Sequence, residues 1–130
     1  MSPAHDIALY LESIGLGTFG DDIHVSREPV TPEFATTLYD TGGNAPTLIN
    51  EQLRNPTIQV RVRSNNYPQA YARQEAINAA LAVDRTSFET DDYRYVGVWM
   101  TSDVISIGRD DNDRHLLTAN YEIKRHPKGD

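Results

Sequence analysis

The densest run of oxygen ligands in the chain is Asp110-Asp111-Asn112-Asp113. Carboxylates and amide oxygens are what calcium and magnesium prefer, so this run is the first place to look for a cation site. Its spacing does not suit an EF-hand loop, which places ligands at alternate positions around a central Gly and closes on a Glu. The competing reading is a solvated turn whose Asp and Asn side chains bond their own backbone. A small cytoplasmic metal-dependent hydrolase using Asp110, Asp111 and Asp113 is thus an alternative to the main reading, which has no metal and no other cofactor. Asp40-Thr41-Gly42-Gly43-Asn44 follows a predicted strand, as a phosphate-cradling loop would. No Lys-Ser or Lys-Thr follows it and no strong helix begins at the glycines, so a tight turn is expected. His5, His24, His115 and His126 have no zinc spacing, no G-x-S-x-G serine accompanies them, and the absence of Cys removes thiolate chemistry. The chain is read as non-enzymatic.

Arg61 and Arg63 carry a different kind of chemistry. In Thr57-Ile58-Gln59-Val60-Arg61-Val62-Arg63, strict alternation puts Ile58, Val60 and Val62 on one face of a strand and both guanidiniums on the other. Two neighbouring Arg side chains on one sheet face repel unless anions lie near. Acidic loops of a second subunit would supply them, and the expectation is that Arg61 and Arg63 pair across a subunit boundary with Asp110, Asp111 and Asp113. The bland alternative is a solvated sheet face, or one covered by a helix with the Arg stems packed beneath it.

The elements that position these groups follow from periodicity. Ile7, Leu11 and Ile14, with Ala8 alongside, form one stripe on a helix over residues 4–14, with Ser2 as a cap, Pro3 in the first turn and Gly15 at the end. Short strands are expected at Ile23 to Arg27 and at Phe34 to Tyr39. The span from Asp40 to Pro56 reads as a long loop, with a turn or two of helix possible from Thr47 to Arg54. After the strand at 57–63, a helix runs from Tyr67 or Pro68 to Val83, with Ala70, Ile77, Ala80 and Leu81 as its apolar stripe. Residues 86–92 form a polar connection. Tyr93 to Met100 is a strand, Val104 to Ile107 is another or its continuation, and Leu116 to Arg125 is the last, with Leu117, Ala119, Tyr121 and Ile123 on one face. A hairpin turn at Gly108 to Arg114 precedes it, and residues 126–130 read as a mobile tail. This order predicts a single α+β domain over residues 1–130, with a mixed, mainly antiparallel sheet flanked by two helices.

Composition narrows the partners. With 12 Lys and Arg against 19 Asp and Glu, the net charge of -7 opposes holding a nucleic acid by phosphate neutralisation, yet permits standing beside DNA without gripping it. The apolar runs are far shorter than the roughly 20 residues of a membrane span, and no basic n-region opens the chain, so a cytoplasmic location without membrane contact is expected.

Several stretches together resemble the tail terminator, or tail completion, minor capsid proteins of long-tailed bacteriophages. They are Leu38-Tyr39-Asp40-Thr41-Gly42-Gly43, Pro56 to Ser64, Tyr67-Pro68-Gln69-Ala70-Tyr71 leading into an Ala-rich helix, and Gly108 to Arg114 followed by Thr118-Ala119-Asn120-Tyr121-Glu122-Ile123. The resemblance covers the chain from Leu38 to Arg125. It implies a structural virion protein of the neck, assembled in the host cytoplasm as a homo-hexameric ring. That ring would cap the tail tube, terminate its polymerisation and join it to the head connector or stopper protein. DNA would pass through without specific binding, and negative charge would suit such a lumen. A head-to-tail adaptor or stopper ring of the same neck is the structural alternative. The long loop from Asp40 to Pro56 and the turn from Gly108 to Arg114 are the segments expected to touch neighbours.

Overall fold

A computed structural model describes residues 1–44, 55–81 and 88–128, which form two helices and one seven-stranded sheet. The elements are α1 (Pro3–Ser13), β1 (Ile23–Val25), β2 (Ala35–Asn44), β3 (Asn55–Ser64), α2 (Tyr67–Leu81), β4 (Phe88–Glu89), β5 (Tyr93–Met100), β6 (Ile105–Arg109) and β7 (His115–Pro127). The strand order is β1-β2-β3-β7-β5-β4, with β6 also paired to β7. Only the β1–β2 pair is parallel. The α+β architecture expected from the element order is therefore present.

Both helices lie on one face of this sheet. The alternating residues Ile58, Val60 and Val62 of β3, and Leu117, Ala119, Tyr121 and Ile123 of β7, are fully buried there with Leu38 of β2. From α1 come Ala4, Ile7, Ala8 and Leu11, and from α2 Ala70, Ile77 and Leu81. Ala80, expected in that stripe, is only partly buried, and Gln74 takes a core position instead. A fully buried amide needs partners. Gln74 Nε2 finds them in the carbonyls of Val60 and Leu117, each at 3.0 Å, and so ties α2 to the two central strands.

α1 is gripped by strands from both halves of the sheet. Its start is capped by Ser2 Oγ, which accepts from the His5 N–H at 3.2 Å. The Ala4 N–H donates to Asp40 Oδ1 of β2 at 2.9 Å. From the other side the Tyr95 hydroxyl of β5 donates to Asp6 Oδ2, and Arg125 Nη1 of β7 donates to the Tyr95 oxygen at 3.2 Å. Tyr10 stacks on Phe88 of β4 with centroids 4.6 Å apart, and Phe88 stacks on Tyr95 at 4.5 Å. β2 and β5 are separated in the sheet by β3 and β7, so a helix of 11 residues touches both only because the sheet curls around it.

Three elements differ from the sequence reading. β2 does not stop at Asp40 but continues to Asn44 through an irregularity between Asp40 and Gly42. Gly42 and Gly43 have φ of 97° and 108°, and a Cβ on Gly43 would lie 2.3 Å from the Asn55 carbonyl oxygen, so the glycines let a strand pass where a turn was expected. β7 extends past Arg125 to Pro127, because His126 and Pro127 pair with Arg94 and Tyr93; they belong to the sheet rather than to a tail. Phe88 and Glu89 form β4 inside the expected polar connection, held by the aromatic stack. The expected helix at 47–54 lies outside the described residues.

β6 proves to be the continuation of β5 along the same side of β7. Between them the Thr101 N–H donates to the Asn120 carbonyl at 2.9 Å, and Ser102 Oγ accepts from the Asn120 backbone and side-chain N–H groups at 3.2 and 3.0 Å. The seryl oxygen substitutes for a ladder carbonyl where the strand breaks.

The buried Asp6–Tyr95–Arg125 chain gives a direct test. Tyr95→Phe removes the hydroxyl that serves both the carboxylate and the guanidinium, leaving two charged groups short of a partner. It is expected to destabilise the fold by about 2–3 kcal/mol in urea denaturation, more than the roughly 1 kcal/mol of an ordinary hydrogen bond.

Candidate assembly surfaces

β1 and β2 are parallel neighbours, and parallel strands cannot be joined by a tight hairpin. The connecting segment, residues 26–34, folds back over the sheet face opposite the helices. It contains Pro29 and Pro32, which lack N–H groups, and its inward carbonyls have no ladder to join. Arg63 supplies the donors. Its guanidinium donates to the carbonyls of Pro29 and Pro32 and, at 3.4 Å, of Val30, while Glu28 Oε1 lies 3.6 Å from Nη1. Arg114 Nη1 donates to the same Val30 carbonyl. The side chain of Arg63 is only 2% exposed. Burial lowers its pKa from the ordinary guanidinium value and the nearby Arg114 charge lowers it further, partly offset by Glu28 and Asp110.

Arg61 lies two residues away on the same face, partly exposed. Glu28 Oε2 is 3.9 Å from its Nη1, and its guanidinium sits 5.3 Å over the Tyr39 ring. The sequence expectation that both arginines face a neighbour needs correction within the chain: Arg63 is consumed by a loop of its own subunit. The physical reason is the β1–β2 crossover, which a strand-by-strand reading does not reveal.

The acidic turn is also internally engaged. Asp110 Oδ1 accepts from the backbone N–H groups of Asn112 and Arg114 at 3.0 and 2.9 Å, and Oδ2 accepts from Arg114 Nε at 2.9 Å. Asp113 Oδ1 pairs with Arg109 Nη1 at 2.9 Å, with both side chains exposed. Asp111 is exposed. Partial burial alone would raise the Asp110 carboxyl, but hydrogen bonds from Arg114 and Asn112 outweigh it and hold the pKa below the usual range. Asp110 and Arg63 are linked within one chain through Arg114, which donates to Asp110 Oδ2 and to the Val30 carbonyl that Arg63 also reaches.

Among the described residues no group of three or more His, Asp or Glu is placed to hold a metal ion. The histidines are dispersed: His5 packs on Phe19, His24 Nε2 contacts the Asp21 carbonyl at 2.8 Å, His115 meets the edge of Tyr67, and His126 pairs opposite Arg94. No helix among the described residues is long and apolar enough to cross a membrane.

Two further outward-facing surfaces lie at the lateral edges of the sheet. Register lines up Ile23 of β1, Thr36 of β2, Val62 of β3, Leu117 of β7 and Ser106 of β6 in a single row. At one end of that row β6 is exposed along its whole length, with Ile105 and Ile107 at 45% and 46%. Beside it, a groove between α2 and the β5–β6 break is lined by Tyr71, Glu75, Asn78, Ser102 and Asp103. At the other end, Phe19, Ile23, Val25 and Pro29 line a mainly apolar groove with His24 and Arg27 at its margin. Sequence periodicity placed Arg27 only as the end of an expected strand and singled out neither Glu75 on α2 nor Asp103 in the β5–β6 break, because which exposed residues share a sheet edge depends on strand order.

A family model described as Bacteriophage tail terminator protein matches residues 10–126. The chain belongs to that family. It is thus a structural protein of the phage tail, consistent with the resemblance drawn from its motifs. A solved structure from the virion of a native gene transfer agent particle has the same fold, with a TM-score of 0.63 at 14% identity, covering 82% of this chain and 80% of that one. Among curated protein sequences none matches.

Two predictions follow from the clamp and the turn. Arg63→Ala removes the donors to the Pro29 and Pro32 carbonyls and leaves Glu28 with the more distant Arg61 alone, and is expected to cost roughly 3 kcal/mol, visible as a melting temperature about 10 °C lower; Arg61→Ala should change stability by less than about 1 kcal/mol. Equal effects of the two substitutions in thermal melts would contradict the assignment. Because the folded pKa of Asp110 lies below its unfolded value, its stabilisation is complete above about pH 4 and fades as the pH falls through the folded value. Asp110→Asn should therefore lower stability at pH 7 and match the wild type near the acid limit, measured by urea unfolding across the pH range.

Proposed function

We propose that the chain acts at the phage neck as a homo-hexameric ring that caps the tail tube, terminates its polymerisation and joins it to the head connector. The observation that carries this reading is membership of the tail terminator family over residues 10–126. Three physical features support it. Two helices on one sheet face, with α1 held from both sides of the curl, make a rigid building block rather than a hinged one. The net charge of -7 gives a ring of such chains a repulsive field toward phosphates, so that duplex DNA slides through its lumen without specific binding. The carboxylates of Asp110 and Asp113 are engaged by backbone N–H groups and by arginines, which favours a structural turn over a hydrolytic metal site.

The partners on this reading are the chain itself, the tail tube protein and the head connector or stopper protein, with assembly in the host cytoplasm. Phage deprived of this protein should make tubes of uncontrolled length that fail to join filled heads, and imaging of intact necks should place six copies in one ring. Tails of normal length joined to heads in its absence would refute the reading, and a twelvefold ring at its position would favour an adaptor.

A further inference from the structure

The two lateral edges of the β1-β2-β3-β7-β6 row are unlike each other, and each offers what the other lacks. The β6 edge is a strand with two isoleucines nearly half exposed, flanked by the acidic groove of Glu75 and Asp103. Exposed aliphatic edge strands are a liability that monomeric proteins usually blunt with charge, bulge or cover. The β1 edge has a mainly apolar groove and, at its margin, the exposed Arg27, which enters no ion pair among the described residues. Backbone pairing at that edge is closed at Ile23. The Ile23 N–H donates to the Thr18 carbonyl, and the Ile23 carbonyl accepts from the Gly20 N–H at 2.9 Å, so the turn over residues 18–23 occupies Ile23's main-chain groups.

We infer that the β6 edge of one copy docks side chain to groove on the β1 edge of the next, with Ile105 and Ile107 entering the apolar groove and Arg27 meeting Glu75 and Asp103. The occupant is a second copy of this chain because the complementary charge and the complementary groove are both carried by it, at opposite ends of one row of residues. Such a contact is heterologous: each subunit uses one surface to the left and another to the right, and repetition closes a ring when the rotation per step allows. An isologous dimer could not use it. The inference rests on the ring reading above and assigns its subunit junction. It also replaces the pairing of Arg61 and Arg63 with the acidic turn, since Arg63 and Asp110 are already spent within the chain. The desolvated ion pair sets which edge meets which, and the isoleucines supply the apolar centre.

The absence of native Cys permits a clean test. Measured along the sheet, β1 and β6 of one chain are four strand spacings apart, about 19 Å, and a short bismaleimide applied to the dilute unassembled variant controls for internal bridging. The variant carrying Ser26→Cys and Thr101→Cys, exposed positions beside the ion pair but outside it, assembled on tail tube protein and treated with that reagent, should give a covalent ladder reaching six chains. Each single substitution should leave only monomers. Both positions are exposed, and far-UV circular dichroism checks that the fold is retained. In the same assembly, Arg27→Glu should reduce ring yield at least tenfold, and adding Glu75→Arg with Asp103→Arg should restore it. Rings that form with no ladder would overturn this junction while leaving the ring reading intact. Dimers from Ser26→Cys alone would show an isologous contact and overturn it as well. Neither ring nor ladder would remove both readings.

Discussion

Asp6 lies in the first turn of α1, almost fully buried, and is the acceptor at the end of a chain that starts at the Arg125 guanidinium of β7 and runs through the Tyr95 hydroxyl of β5. Two residues earlier in the same helix, the Ala4 N–H is held by Asp40 of β2. One short helix therefore fixes the distance between two strands that are not neighbours, and the sheet has to curl for both contacts to be made. A carboxylate and a guanidinium taken out of water are expensive unless hydrogen-bonded, so this geometry is specified by the cost of every alternative. The aromatic stack Tyr10–Phe88–Tyr95 fills the space beside it and keeps water from relaxing the constraint. Burial raises the Tyr95 phenol well above its ordinary pKa, and the Asp6 carboxylate adds to that, so the hydroxyl stays a donor at any physiological pH.

The curl leaves the other sheet face convex toward the β1–β2 crossover, and the chain meets that topology with arginine. Guanidinium is suited to the task because its planar fork presents several donors to carbonyls that converge from one loop. Arg63 and Arg114 together hold residues 29–32, and Glu28 neutralises part of the charge this brings inside. The consequence for assembly is that the loop is a fixed surface. Its Val30 side chain is 69% exposed while its carbonyl is locked inward, so the crossover presents a stiff rim rather than a flexible arm.

A structural tail protein has to be a rigid brick with directional edges, and the two demands are met by different parts of this molecule. Rigidity comes from the buried polar ties of α1, of Gln74 and of Arg63. Direction comes from edges that are chemically unlike, one acidic with aliphatic side chains outward, the other apolar and cationic. Neither edge presents an uninterrupted template for indiscriminate strand pairing: β1 is short and its Ile23 is closed by the 18–23 turn, and β6 is separated from β5 by the Ser102 break.

Local periodicity was enough to locate both helices, the alternating core faces of β3 and β7, and the strand at 93–100, because those segments bury one face and a period of 2 or 3.6 is the direct imprint of burial. The order of elements then gave the α+β class, and the motif order gave the family. Asp40-Thr41-Gly42-Gly43-Asn44 misled because glycines with positive φ serve a turn and an irregular strand equally well, and only pairing with Thr57, Pro56 and Asn55 decided between them. Arg61 and Arg63 were correctly placed on one face, yet their fates diverged. Which of two equivalent positions is covered depends on where a crossover loop lands, a contact between residues 29–32 and 63 that no local pattern encodes. Arg27 closed an expected strand, but its place at one sheet edge, and that of Glu75 and Asp103 beside the other, was silent in the sequence for the same reason: an edge exists only after the strands have been ordered, and tertiary structure alone decides which residues stand there.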